Sequence, residues 1–316
     1  MNLLIPGGAS YIGAWLVPQL LAEGHNVTVF DTFFFGSGFL PENDSLTIIK
    51  GDVRDTEGWR AACANKDAVI YLASISRELL CQQNEPLAQT VNVQCFAPAV
   101  KAAKDAGITR FIYASSVAVY GSSDHEATED EPLAPTTIYG KGKMACEEIL
   151  LNAASKDFCV SITRSASVCG YSPRQRLDLT VNRMVHDACR KGVITVEGGE
   201  QIRSHVHIRD LSDFYRLLLN SPPEHIAGEA FNVVAENQAV KDTAKLVADI
   251  TKASIVVTPR VDDRSYSVSG EKVAKRLWFR TQWMVQDAIE DLKIKFDSGY
   301  WQDSATNPIY QNMVEV

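Results

Sequence analysis

The sequence contains no apolar run near the roughly 20 residues that a membrane-crossing helix requires. Its opening, MNLLIPGG, enters a short strand pattern without the basic region, long apolar segment and cleavage site of a secretion signal. Together these absences predict a cytoplasmic protein. Positive charge is also short: 31 Lys and Arg stand against 39 Asp and Glu, a net charge of -8. Bulk electrostatic binding to nucleic acid needs a cationic face, so that class of partner is excluded. The seven cysteines, at positions 63, 81, 95, 146, 159, 169 and 189, include no close pair with metal-binding or redox spacing. They read as buried or free thiols rather than a disulfide framework, and Cys81 and Cys169 as small apolar fillers near the site. His205 and His207 share one face of a strand, but no third ligand stands nearby, so they are read as structural and no metal is expected. No internal repeat or low-complexity linker interrupts the chain.

What is present fits a large soluble core: 316 residues, 46% hydrophobic and 22% charged. Through the first half, brief apolar runs alternate with helical patterns. NLLIP, NVTVFD, LTIIKGD, DAVIYLAS and RFIYASS read as strands. YIGAWLVPQLLAEG and PLAQTVNVQCFAPAVKAAKDAG read as helices, the second stopped at Gly107. Repeated strand–helix alternation predicts an α/β fold, a Rossmann-type doubly wound parallel sheet with helices on both faces. Near-continuous apolar strands agree, because such a sheet is buried on both sides.

The first strand–helix junction carries the first chemistry. After Pro6, Gly7 and Gly8 form a tight turn, and a helix begins near Tyr11 with Gly13 in its first turns. Free N–H groups and the positive end of a helix dipole then face a position suited to a pyrophosphate. Gly7 allows the turn and Gly13 allows close packing of helix on strand. Ser10 stands where backbone must approach the phosphates; its Cβ is a cost, and its hydroxyl offers a donor. Asp31 ends the second strand at the distance from which a carboxylate accepts from an adenosine ribose hydroxyl. No Arg or Lys follows in TFFFGSG, so NAD is expected rather than NADP.

The second piece of chemistry lies in YASSVAVYG and YGKGK. Tyr139 and Lys143 stand four apart in a helical pattern and project from one face. A tyrosine of ordinary pKa near 10 is a poor base, and a lysine cation beside it favours the phenolate. Ser116, ending the fifth strand, can bond the same substrate hydroxyl. The trio suits removal of a proton from an alcohol while hydride leaves its carbon.

With GGASYIG, GDVRD, YLAS, YASSVAVYG, YGKGK, SVCGYSPRQR and EQIRSHVHIRDL in that order, the chain resembles the extended short-chain dehydrogenase/reductase family of nucleotide-sugar epimerases and dehydratases. The resemblance implies catalysis by Ser116, Tyr139 and Lys143. It implies adenine contacts from Asp52 and Val53, and further cofactor contacts from Leu72, Ala73, Ala114, Tyr11 and Ile12. The family usually has Thr where Pro6 stands and Gly where Ser10 stands. A nucleotide-diphosphate sugar would meet Ser167, Arg174, Asn182, Arg203 and Arg264, with Arg203 clamping the diphosphate. The cofactor unit would span residues 1–165 with segments near 205–235 returning to it, and the substrate lobe would span mainly 166–316. Helices near 85–106 and 139–154 would pair in a homodimer.

Dehydratases of the family carry an Asp-Glu pair directly after the residue matching Ser116, and decarboxylating relatives also place a carboxylate there. Here those positions are Val117 and Ala118. The resemblance therefore implies oxidation at C4 of the sugar, completed as 4-epimerisation. A C4 dehydrogenase that releases the ketone is the alternative, because SPRQRLDL and DDRSYSVS resemble a subgroup including a nucleotide-heptose C4 dehydrogenase. A catalytically silent NAD-binding regulator on the same fold is the reading from another class.

Overall fold

In the computed structural model, residues 1–259 and 264–312 are described. Seven parallel strands form the central sheet, in the order Glu229–Val233, Cys159–Ser165, Arg110–Ser116, Ala68–Tyr71, Asn2–Pro6, Asn26–Asp31 and Leu46–Lys50. Side chains alternate across a strand, and the first strand shows the consequence. Leu3 and Ile5 enter one core, with Leu16 and Leu20 of helix Tyr11–Ala22 and Leu211, Phe214 and Leu218 of helix Ile208–Asn220. Leu4 enters the opposite core, with Trp59, Phe96, Ala99, Cys146 and Leu150. Both faces of the sheet are thereby covered. Every strand pairing in it is parallel. The strand order reverses beside Asn2–Pro6, which opens a crevice at the carboxyl ends of the strands.

One helix departs from its sequence pattern. The segment expected to run unbroken from Pro86 to Gly107 is divided into helix Glu85–Gln89, a π-turn at Thr90–Gln94 and helix Phe96–Asp105, and a separate short helix, Glu78–Gln83, precedes it. The wider turn has a local use. The Asn92 side chain accepts from the Ser74 hydroxyl at 3.2 Å and the Ile75 N–H at 2.8 Å, and donates to the Ile75 carbonyl at 3.0 Å. Regular helical periodicity carries no signal for such an insertion.

Beyond the sheet, a smaller layer pairs Glu236–Ala239, Ile202–His207 and Ser167–Cys169. Its core joins Val181 and Val185 to Val247, Ile289, Leu292 and Trp301. Among the described residues, no helix is long and apolar enough to cross a membrane.

His205 and His207 lie buried in that layer, and neither ring nitrogen of His205 has a hydrogen-bond partner among the described residues. Burial pushes both imidazoles down to about 4, with Arg203 adding to the effect at His205 and Arg209 at His207. A histidine held neutral in the fold but free to protonate when unfolded stabilises the fold above its unfolded pKa, and that contribution falls as pH drops from about 6.5 towards about 4. Urea unfolding across that range is expected to show stability falling on acidification. His205→Phe is expected to flatten the slope; an unchanged slope would contradict the assignment.

Candidate active site

The glycine turn sits at the reversal point of the sheet. Gly7 has φ +78°, and a Cβ there would lie 2.6 Å from the Ala73 nitrogen, so the turn passes hard against the backbone of Leu72 and Ala73. The Leu72 N–H donates to the Pro6 carbonyl at 2.9 Å, so the proline, which has no N–H to give, still takes part through its oxygen. A Cβ on Gly13 would collide with the Gly8 backbone, the close packing that its position in the sequence predicted. Ser10 is the N-cap: its hydroxyl oxygen accepts from the Gly13 N–H at 3.5 Å. Its proton stays available to an anion. The N–H groups of Tyr11 and Ile12 begin the helix and have no intrahelical acceptor. Turn, cap and helix end together form a cradle that fits a pyrophosphate.

Asp31 braces this turn, accepting from the Ala9 N–H at 3.0 Å and the Phe33 N–H at 3.0 Å. Burial raises its carboxyl above the ordinary value, while the backbone donors at Phe33 and Ala9 and the charge of Arg174 oppose that rise. Arg174 therefore lies on the Asp31 side of the cradle. Its guanidinium stacks 3.9 Å from the centre of the Phe35 ring and donates to Asn312 at 2.7 Å. This location differs from the substrate end expected for Arg174: the chain turns between Arg174 and Arg176, and it is Arg176 that interacts with Tyr139. Asp52 is held by Arg54 through bonds of 2.9 and 2.6 Å, which lowers its carboxyl pKa; Val53 packs on the core beside it.

The reacting end is built by helix Ile138–Ala153 lying against strand Arg110–Ser116. Thr137 caps the helix by accepting from the Gly140 N–H at 3.0 Å, and Glu78 accepts from the N–H groups of Ile138 and Tyr139 at 3.2 and 3.0 Å. Glu78 was not legible as a site residue, because it comes from a separate short helix 61 residues before Tyr139. Lys143 is buried; its Nζ donates to the Ala114 carbonyl at 2.7 Å and lies 4.8 Å from the Tyr113 ring centre and 5.4 Å from that of Tyr139. Burial lowers its pKa to about 8. Burial also raises the Tyr139 phenol, opposed by the Arg176 charge and a hydrogen bond with Ser116. The expected fall of the phenol pKa beside Lys143 is thus not seen in the protein without cofactor, where desolvation outweighs the local charge.

Arg203 and Arg264, both expected to meet the substrate, come together. Arg203 donates to the Arg264 carbonyl and to the Ile202 carbonyl, and its guanidinium lies 5.2 Å from the centre of the Tyr266 ring. Ser167 lies opposite His205 in the smaller sheet. Asn182 turns inward: fully buried, it accepts from the Gly170 N–H at 3.1 Å and donates to the Arg176 carbonyl at 2.8 Å and the Tyr11 hydroxyl at 3.2 Å. Those bonds occupy its amide, so it shapes the site through the backbone. Arg176, missed in the sequence, forms a forked pair with Asp178 at 3.0 and 2.6 Å and donates to Ser76 at 2.9 Å. The nearby RLD spacing carries the Arg–Asp pair, but nothing local indicates that the Arg176 charge acts on Tyr139.

Comparison with known proteins bears on the family and the fold. The sequence model of the NAD dependent epimerase/dehydratase family matches residues 3–234. An uncharacterised UDP-glucose epimerase of Bacillus subtilis, YtcB, is 28% identical, with 79% of this chain and 82% of that protein covered. A UDP-glucose 4-epimerase of Corynebacterium glutamicum is 27% identical over 92% of this chain and 94% of its own. A UDP-glucose 4-epimerase from Thermotoga maritima, solved with UDP-glucose, shares the fold at a TM-score of 0.86 and 21% identity, covering 95% and 99% of the two chains.

Tyr11 ties the cradle to the smaller layer. Its buried hydroxyl donates to the Gly170 carbonyl at 2.7 Å and accepts from Asn182. Tyr11→Phe leaves packing nearly intact and removes both bonds, so chemical denaturation is expected to show a loss of about 1–2 kcal/mol. Unchanged stability would contradict this role.

Proposed function

Because the chain belongs to the NAD dependent epimerase/dehydratase family, we propose that it oxidises the C4 hydroxyl of a nucleotide-diphosphate sugar and returns the hydrogen to the opposite face, a 4-epimerisation through a transient 4-keto sugar. The observation carrying the reading is the buried Lys143 5.4 Å from the centre of the Tyr139 ring, with Ser116 bonded to Tyr139 and followed in the chain by Val117 and Ala118, which cannot transfer a proton. Elimination of water needs an acid and a base at the sugar, and this turn supplies neither. The names of the two relatives, both UDP-glucose epimerases, support the same direction.

Gly7, Ser10, Tyr11, Ile12 and Gly13 would hold the pyrophosphate of NAD and Asp31 its ribose, and the cofactor would supply the hydride acceptor and a positive charge at the site. Tyr139 takes the proton of the C4 hydroxyl on its phenolic oxygen, and Ser116 donates to or accepts from the same oxygen as it passes between alcohol and ketone. Lys143 holds positive charge beside the phenol and, with that added charge, opposes the effect of burial. Arg203 and Arg264 meet the diphosphate, a task suited to planar, permanently charged donors. Return of the hydrogen to the other face requires the ketone to turn over in the site before it leaves.

Incubation with UDP-, GDP-, CDP- and dTDP-sugars, followed by mass and NMR analysis, tests the reading. A product of equal mass with inverted C4 is expected, and loss of two hydrogens would mark a dehydrogenase instead. Tyr139→Phe is expected to lower turnover by about 10²–10⁴-fold while NAD still binds. Unaltered turnover would remove Tyr139 from the mechanism.

A further inference from the structure

Directly behind Tyr139 and Lys143 lies a buried ion pair that the reaction above does not use. Glu147 follows Lys143 by one helical turn, so the two side chains share a face. Its carboxylate accepts from Arg164 Nε at 3.2 Å and Nη2 at 2.7 Å, and from the Ser115 hydroxyl. Arg164 stands opposite Ser115 in the register of the adjoining strand, and its Nη1 donates to the Tyr120 hydroxyl at 2.7 Å. Tyr120 in turn donates to Asn232 at 2.8 Å. Ser115, Tyr120, Glu147, Arg164 and Asn232 are all buried.

This network touches both elements that carry Ser116, Tyr139 and Lys143. The helix bearing Tyr139 and Lys143 is joined to strand Arg110–Ser116 at two successive residues: Lys143 bonds the Ala114 carbonyl, and Glu147 bonds the Ser115 side chain. The turn Val117–Tyr120, which Ser116 caps, is joined to the same guanidinium. Removing two charges from water is expensive, and a buried pair is weak evidence for stability by itself. What it offers here is a fixed position and a fixed sign of charge.

We infer that Glu147 and Arg164 are positioning residues: Glu147 keeps Lys143 an ammonium in its dry pocket, and Arg164 holds that carboxylate in register with Ser115 and Tyr120. The groups facing Lys143 are Tyr139, Cys146 and Glu147 of its own helix, Tyr113 and the Ala114 carbonyl of the strand, and Cys81 of helix Glu78–Gln83. Of these, Glu147 is the carboxylate. Burial lowers Lys143, and the neighbouring Cys146 and Glu147 work against that fall.

The inference deepens the proposed role of Lys143 and rests on it, but its test needs no substrate. The titration of Lys143 can be followed by NMR in protein carrying isotopically labelled lysine, with the signal assigned from its absence in Lys143→Arg. In Glu147→Gln the midpoint is expected to fall by at least about one pH unit, because an opposite charge at this range is lost and Arg164 remains unopposed. Glu147→Asp is expected to restore part of the fall. Where Glu147→Gln does not fold, the double variant Glu147→Gln/Arg164→Gln, in which no buried charge is left alone, is expected to titrate between wild type and that lower limit. Midpoints matching wild type in the folded variants would overturn the inference, whatever the substrate panel shows. Turnover lost with an unmoved midpoint would also overturn it, assigning the pair a structural role alone.

Discussion

The proposed chemistry depends on one buried ammonium. Lys143 is only 4% exposed, yet it must carry charge to act on Tyr139. Burial alone pulls such a group towards neutrality, so its charge depends on what faces it. The Ala114 carbonyl at 2.7 Å, two aromatic faces and the Glu147 carboxylate provide that surrounding. Each comes from a position set by the docking of helix Ile138–Ala153 on the fifth strand. The ends of that contact are secured independently, by Glu78 at the first turn of the helix and by Arg164 near its middle.

The parallel sheet makes this arrangement rigid. Its strands end together along one edge, and there the glycine turn, the segment after Tyr71 and Ser116 follow strands of the same orientation. The two ends of the cleft differ in character. At the glycine turn the protein presents N–H groups and a helix end to negative charge; at Tyr139 it presents a desolvated phenol with cations around it. Tyr11 and Asn182 connect the first end to the smaller layer, and Asn92 holds the loop between the two ends through its π-turn.

Local sequence conveyed the parts of the site that depend on local geometry. A glycine turn between strand and helix, an aspartate closing the next strand and a Tyr–Lys pair one helical turn apart each have a spacing that physics constrains, and the parallel sheet followed from alternation. The remaining parts depend on contacts between distant segments. Arg174 and Arg176 are equivalent as residue types, and only the path of the loop sends one to Phe35 and the other towards Tyr139. Asn182 was expected as a substrate contact from the family resemblance, but its amide turns inward to Tyr11. The π-turn at Thr90–Gln94 leaves none of its own residues buried, Val91 and Val93 of the expected apolar stripe included. Glu147 was visible one turn after Lys143, but its meaning appeared only with Arg164 opposite Ser115 on a neighbouring strand.

The central claim is that the Tyr139 phenol is held neutral by burial and reaches its anionic form when a positive cofactor ring joins Lys143 and Arg176. The phenolate absorbance of the wild-type protein, less that of Tyr139→Phe, measures this directly at neutral pH with oxidised and with reduced NAD. The account predicts a phenolate signal that grows on adding the oxidised form and grows far less with the reduced form. Equal signals with both forms, or no signal with either, would contradict it.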